Sequence, residues 1–117
     1  MRRQLHLLLL LLLLLAALLL SALAIGEWNP IKDVRNPHVK EIGEFAVAEF
    51  NKDPRHGADL QFQSVIKGET QVVSGTNYRL ILAARDPAGV KNYEALVWEK
   101  PWEHFKQLKS FSPVKDV

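Results

Sequence analysis

The sequence predicts an α+β domain in which one amphipathic helix is packed across a four- to five-stranded antiparallel sheet. Three observations carry that prediction. One stretch alone, residues 37 to 50, places apolar residues at helical spacing; nearly everything after residue 60 alternates with a period of two; and the connections between the alternating runs are short. Short connections imply hairpins and therefore antiparallel pairing. A single helix laid across a single sheet is then the simplest way to bury both apolar faces.

A leader precedes the domain. Arg2 and Arg3 give it a basic start, Leu7 to Leu15 is an unbroken leucine run, and Ala22-Leu23-Ala24 supplies the small-x-small pattern at which secretory signals are cut. Residues 1–24 are therefore expected to be a signal peptide and 25–117 the domain, secreted to the exterior or held in the vacuole or endomembrane lumen. An uncleaved anchor is the competing reading, because Leu7 to Ile25 is long enough to span a bilayer. With basic residues ahead of the apolar run, the domain faces the lumen or exterior under either reading. Cleavage removes two of the 15 basic residues, so the domain has 13 of each sign and no net charge. No Lys/Arg cluster remains, and nucleic acid is not an expected partner. The chain contains no cysteine, so the domain must hold itself together by packing alone.

The elements follow in order. Gly26 to Asn36 reads as an extended, flexible lead. Asn36-Pro37 starts a helix, Asn as N-cap and Pro at the first helical position. Val39, Ile42, Ala46 and Phe50 then fall within about 80° of one another on a helical wheel. Gly43 lies on that apolar side, where a missing side chain permits close approach to a sheet. Asp53-Pro54 ends the helix, since the residue before proline is pushed out of helical geometry. Leu60 to Val73 reads as a long strand whose alternation slips at Val65-Ile66, which predicts a bulge. In the next strand Tyr78, Leu80, Leu82 and Ala84 share one face, opposite Arg79, Ile81, Ala83 and Arg85. Both faces carry apolar residues, as a central strand requires. Asp86-Pro87-Ala88-Gly89 is a turn by composition. Tyr93, Ala95 and Val97 alternate with Glu94, Leu96 and Trp98, and after Lys100-Pro101-Trp102-Glu103 a last apolar set, Phe105, Leu108 and Phe111, closes the domain.

Nothing in the chain points to an enzyme, a metal or a cofactor. His38, His56 and His104 have no ligand-spaced partners, and neither a nucleophile elbow nor a phosphate-binding glycine loop occurs. The informative residues are apolar or small ones at turns and ends: Gly26 followed by Trp28, the segment Gln71, Val72, Val73, Ser74 and Gly75, and Pro101 with Trp102. In a meander the 72–75 and 101–102 turns share one end of the sheet, with the 87–89 turn at the other. A terminus reaching the first end would complete an edge of three segments. Rigid backbone loops can enter a narrow cleft with little ordering cost, and a Trp can anchor beside them.

In these segments the sequence resembles a plant cystatin, from about Gly26 to Phe111. Ile42-Gly43-Glu44-Phe45-Ala46-Val47-Ala48-Glu49-Phe50-Asn51 is similar to the helix motif of the plant branch, Gln71-Val72-Val73-Ser74-Gly75 to the Gln-x-Val-x-Gly loop, and Val97-Trp98-Glu99-Lys100-Pro101-Trp102 to the Pro-Trp hairpin segment. The resemblance implies a cystatin-like fold over residues 25–117 and a non-enzyme: a reversible, competitive, tight-binding inhibitor of papain-like cysteine proteases. Protease-binding residues implied are Gly26, Gln71, Val72, Val73, Ser74, Gly75, Pro101 and Trp102, with plant defence or endogenous regulation as the setting. No membrane partner is expected after signal cleavage. The protein is expected to be a monomer, with strand exchange into a dimer left open. Relatives carry Gly-Gly where this chain has Gly26-Glu27, so its two hairpins are expected to take a larger share of binding. A side chain at position 75 is expected to obstruct the hairpin while leaving the fold largely intact. The rival readings are a non-inhibitory storage or signalling protein on the same fold, or a tethered form with an uncut leader.

Overall fold

A computed structural model describes residues 2–115 of the chain. It comprises α1 (Arg2–Ile25), β1 (Trp28–Pro30), α2 (Pro37–Asn51), a 3-10 turn at Pro54–His56, β2 (Gln61–Val73), β3 (Gly75–Asp86), β4 (Gly89–Lys100), a second 3-10 turn at Pro101–Glu103, and β5 (Phe105–Val114). The five strands form one antiparallel sheet in the order β1-β2-β3-β4-β5, so the upper strand number of the prediction is the correct one. The leucine run from Leu7 to Leu15 is exposed on α1. The side chains of the expected cleavage pattern, Ala22-Leu23-Ala24, and residues 116–117 at the domain's end lie outside the described residues.

The helix α2 begins as the sequence requires. The Asn36 side chain accepts from the His38 N–H at 2.9 Å, and Pro37 occupies a position whose N–H would have had no helical partner. Val39, Ile42, Ala46 and Val47 are buried against Leu80, Leu82 and Ala84 of β3 and Tyr93, Ala95 and Val97 of β4. At its far end the Asn51 amide bonds reciprocally to the Leu60 backbone, donating at 2.8 Å and accepting at 2.9 Å. That pair fixes where β2 starts. Beside it Phe50 stacks on His56 and on Phe111, and Phe111 stacks on Tyr93, which links the helix to β4 and β5.

Gly43 is the close-approach point. A Cβ there would lie 2.7 Å from Phe62 Cε2 and 3.1 Å from Val65 Cγ2. Gly43→Val is therefore expected to destabilise the domain by about 1–3 kcal/mol through overpacking, more than its gain in helix propensity returns. Chemical denaturation of the two proteins checks this.

One sequence expectation about the fold needs correction and another needs an addition. The lead is paired rather than flexible: Trp28, Asn29 and Pro30 oppose Gln71, Thr70 and Glu69, and the Ile31 N–H donates to the Gly68 carbonyl at 2.9 Å. Three residues cannot display an alternation, so only the pairing reveals the strand. The bulge at Ile66 is present, between Val65 and Lys67, but a second register shift falls between Phe62 and Ser64. Each shift inserts one residue, so Phe62, Val65 and Gly68 all oppose inward residues of β3 (Ala84, Leu82 and Leu80) at a spacing of three. A third shift, opposite Leu96/Val97, lies in β5.

Candidate functional site

The β2–β3 hairpin turns on a single residue. Val73 pairs with Gly75, leaving Ser74 alone at the tip. Gly75 has φ +89°, a conformation side chains disfavour, and a Cβ there would fall on the Glu99 carbonyl oxygen and 3.0 Å from Lys100 Cγ. A bare backbone at 75 is thus what lets β3 lie against the end of β4, where Thr76 pairs with Glu99. The expectation that a side chain at 75 would spare the fold is overturned by this contact: the atom it would strike is main chain and cannot swing aside.

From Lys100 the chain enters the Pro101–Glu103 turn, closed by the His104 N–H on the Pro101 carbonyl at 3.1 Å, with His104 left-handed at φ 50°. Proline at the first position fixes φ for such a turn, and Lys100 Nζ braces it on Glu103 at 3.0 Å. β5 leaves with Phe105 opposite Lys100. Both turns therefore sit at one end of the sheet, and the Asp86–Gly89 turn at the other.

The N-terminal segment reaches the same end. Gln71 Nε2 donates to the Gly26 carbonyl at 3.1 Å, while Gln71 Oε1 accepts from Asn77 Nδ2 at 3.0 Å. Trp28, opposite Gln71, lies under the Arg79 guanidinium at 4.2 Å, and Arg79 in turn holds Glu69 at 2.8 Å. Gly26, Gln71 to Gly75 and Pro101-Trp102 thus lie at one end of the sheet: the meander puts the two turns there, and the pairing of β1 with β2 brings the terminus to them. Glu27 is exposed, and its side chain does not prevent the arm from docking.

Exposure singles this end out. Beyond α1, the large apolar residues standing in solvent among those described are Ile66, Val72, Val90 and Trp102. Ile66 is a bulge residue and Val90 follows the opposite turn. Val72 and Trp102, 61% and 62% exposed, share the edge of the three segments. The two turns at this end therefore each leave one large apolar side chain in water.

Two residues behind the edge escaped sequence reasoning. Glu99 is buried, 5% exposed, and receives His38 Nε2 at 2.7 Å, while the Tyr78 ring meets His38 edge to face at 6.1 Å. Its signal was present: 99 continues the inward series 93, 95, 97, so a carboxylate there must find partners. Burial, and then the neighbouring Glu99 carboxylate, push the Tyr78 phenol above its ordinary pKa. The neutral phenol is the stabilising form. Its contribution is whole below the unfolded value near 10 and is lost as pH rises through the folded one. Tyr78→Phe is expected to cost about 1 kcal/mol at neutral pH, a deficit that closes in strongly alkaline denaturation experiments. Trp98, the second residue, was legible only as an outward-facing member of the segment leading into Pro101-Trp102, with nothing along the chain to name its partner. Its indole N–H donates to the Ser74 carbonyl at 2.7 Å.

Comparison with known proteins decides the family. Residues 31–114 match the SQAPI family, described as aspartic acid proteinase inhibitor. The chain is 56% identical over 97 residues to cysteine proteinase inhibitor 5 of Arabidopsis thaliana, covering 82% of this chain and 78% of the relative.

The chain belongs to the plant cystatins.

Cysteine proteinase inhibitor 1 of Actinidia chinensis var. chinensis agrees, at 52% identity over 92 residues, 79% of this chain and 78% of the relative. The cystatin fold is shared with the salivary cystatin of the soft tick Ornithodoros moubata, at a TM-score of 0.66 and 20% identity, covering 77% of this chain and 98% of the other. These close cystatin relatives are named as inhibitors and not as enzymes.

Proposed function

We propose that this cystatin is a reversible, competitive, tight-binding inhibitor of papain-like cysteine proteases. In this reading the wedge of Gly26, Gln71 to Gly75 and Pro101-Trp102 fills the protease cleft. The observation that carries it is the convergence of the three segments at one sheet end, with Val72 and Trp102 exposed there. Val72 and Trp102 would lose their water on docking, over an interface of roughly 800 Å² per partner. The hairpin resists cleavage because its tip is a one-residue turn anchored to β4, not an extended strand a protease could seat. The leader 1–24 is removed at Ala24 in this proposal, and the domain 25–117 acts in the exterior or an endomembrane lumen.

The matched family description names aspartic acid proteinases and the close relatives' names cysteine proteinases; the higher-identity relatives favour the second class. Titrating papain and pepsin in parallel with the purified mature domain separates them. Stoichiometric, reversible inhibition of papain with the chain left intact is the expected result, and pepsin should be unaffected. No inhibition of papain at micromolar concentrations would overturn the proposal, and inhibition of pepsin alone would assign the other class. Mass spectrometry of the secreted protein should find Ile25 at its N-terminus.

A further inference from the structure

We infer that Trp98 is a positioning residue of the wedge: its indole N–H fixes the Ser74-Gly75 peptide plane and so sets the shape of the hairpin tip. The inference rests on the inhibitory reading for its consequence, but not for its geometry. Ser74 is the one residue between the paired Val73 and Gly75, so no strand neighbour restrains its carbonyl. Rotating that peptide would change φ at Gly75, where glycine tolerates either sign. The glycine that makes the turn possible thus also leaves its peptide plane free to flip. The bond from Trp98 Nε1 to the Ser74 carbonyl, 2.7 Å across 24 residues of sequence, removes that freedom.

The donor is itself held. Trp98 is half-buried on the sheet face opposite α2, opposite Asn77 of β3 and Gln107 of β5. Phe105 meets it edge to face at 5.4 Å, and Lys100 and Lys109 place their ammonium groups 4.7 and 5.1 Å from its ring. Phe105 and Lys100 flank the Pro101–Glu103 turn. One indole therefore touches the residues that frame the second turn and hydrogen-bonds to the tip of the first. It sets the two turns relative to each other, which a wedge entering a single cleft needs.

Trp98→Phe keeps an aromatic ring and deletes the donor. The folded variant is expected to show an inhibition constant for papain about tenfold higher than the parent, with amide chemical-shift changes concentrated at Ser74 and Gly75. A Trp98 with a merely structural role would lower the melting midpoint and leave the inhibition constant of the folded fraction unchanged, and that outcome overturns the inference. A second measurement needs neither the variant nor a protease. In the wild-type domain the Trp98 indole proton should exchange with solvent markedly more slowly than that of exposed Trp102; equal rates would overturn the inference. If the wild-type domain fails to inhibit papain while its Trp98 proton exchanges slowly, the functional reading falls and the brace stands.

Discussion

Gly75→Ala is expected to raise the inhibition constant for papain about 100-fold or more and to destabilise the domain by about 2–4 kcal/mol. Two independent effects act at the same atom. The backbone at 75 has φ +89°, and a left-handed conformation costs a non-glycine residue roughly 1–2 kcal/mol. The added Cβ also falls on the Glu99 carbonyl oxygen, which the β3–β4 ladder holds in place. Relief requires the end of β3 to move away from β4, and Ser74 then leaves the Trp98 indole. The tip changes shape before any protease is met. Inhibition assays and chemical denaturation of the same preparation separate the two losses. Binding should fall further than stability alone explains, because at a few kcal/mol of destabilisation most molecules remain folded. A variant with parental stability and parental inhibition would show that the tip tolerates a side chain, contrary to the packing at Glu99.

Trp102→Ala is expected to weaken inhibition about 30- to 100-fold and to change stability by less than about 0.5 kcal/mol. The contrast with Gly75 follows from exposure. Trp102 is 62% exposed in the free domain, so little of its surface contributes to folding and most of it is available for a partner to cover. Its backbone turn is closed by Pro101 and His104, not by the indole. Truncation should therefore leave the scaffold intact and remove an aromatic anchor of the kind that dominates interfaces. Matched melting curves with a large change in dissociation rate are the outcome sought; a matched inhibition constant would remove Trp102 from the wedge.

Much of this was legible along the chain. The helix from Pro37 declared itself by its cap, its apolar spacing and its proline stop, all of which act within a few residues. β3 and β4 declared themselves by alternation, and the inward series Tyr78, Leu80, Leu82, Ala84 is the one the core contains, with Tyr78 at its half-buried margin. Gly43 was legible as a contact point, because glycine on the buried side of a helix needs a packing reason. The grouping of the hairpins at one end followed from connection lengths alone.

What escaped notice depends on partners distant in sequence. The strand at Trp28 exists only through its pairing with Gln71, and three residues carry no period of their own. The shift at Phe62/Ser64 became visible only once β2 was set against β3. The necessity of glycine at 75 lies in the position of the Glu99 carbonyl, 24 residues further along the chain.

The sequence by itself thus determined the helix from Pro37, the strands β2 to β5 and the meander that joins them, because periodicity, caps and turn chemistry are local properties of the chain. Only the tertiary structure decided how that edge is held: Gln71 on the Gly26 carbonyl, Glu99 against Gly75, and the Trp98 indole on Ser74. Those are contacts between residues 24 or more positions apart, and hydrogen bonds and van der Waals contacts depend on distances that only the folded chain sets.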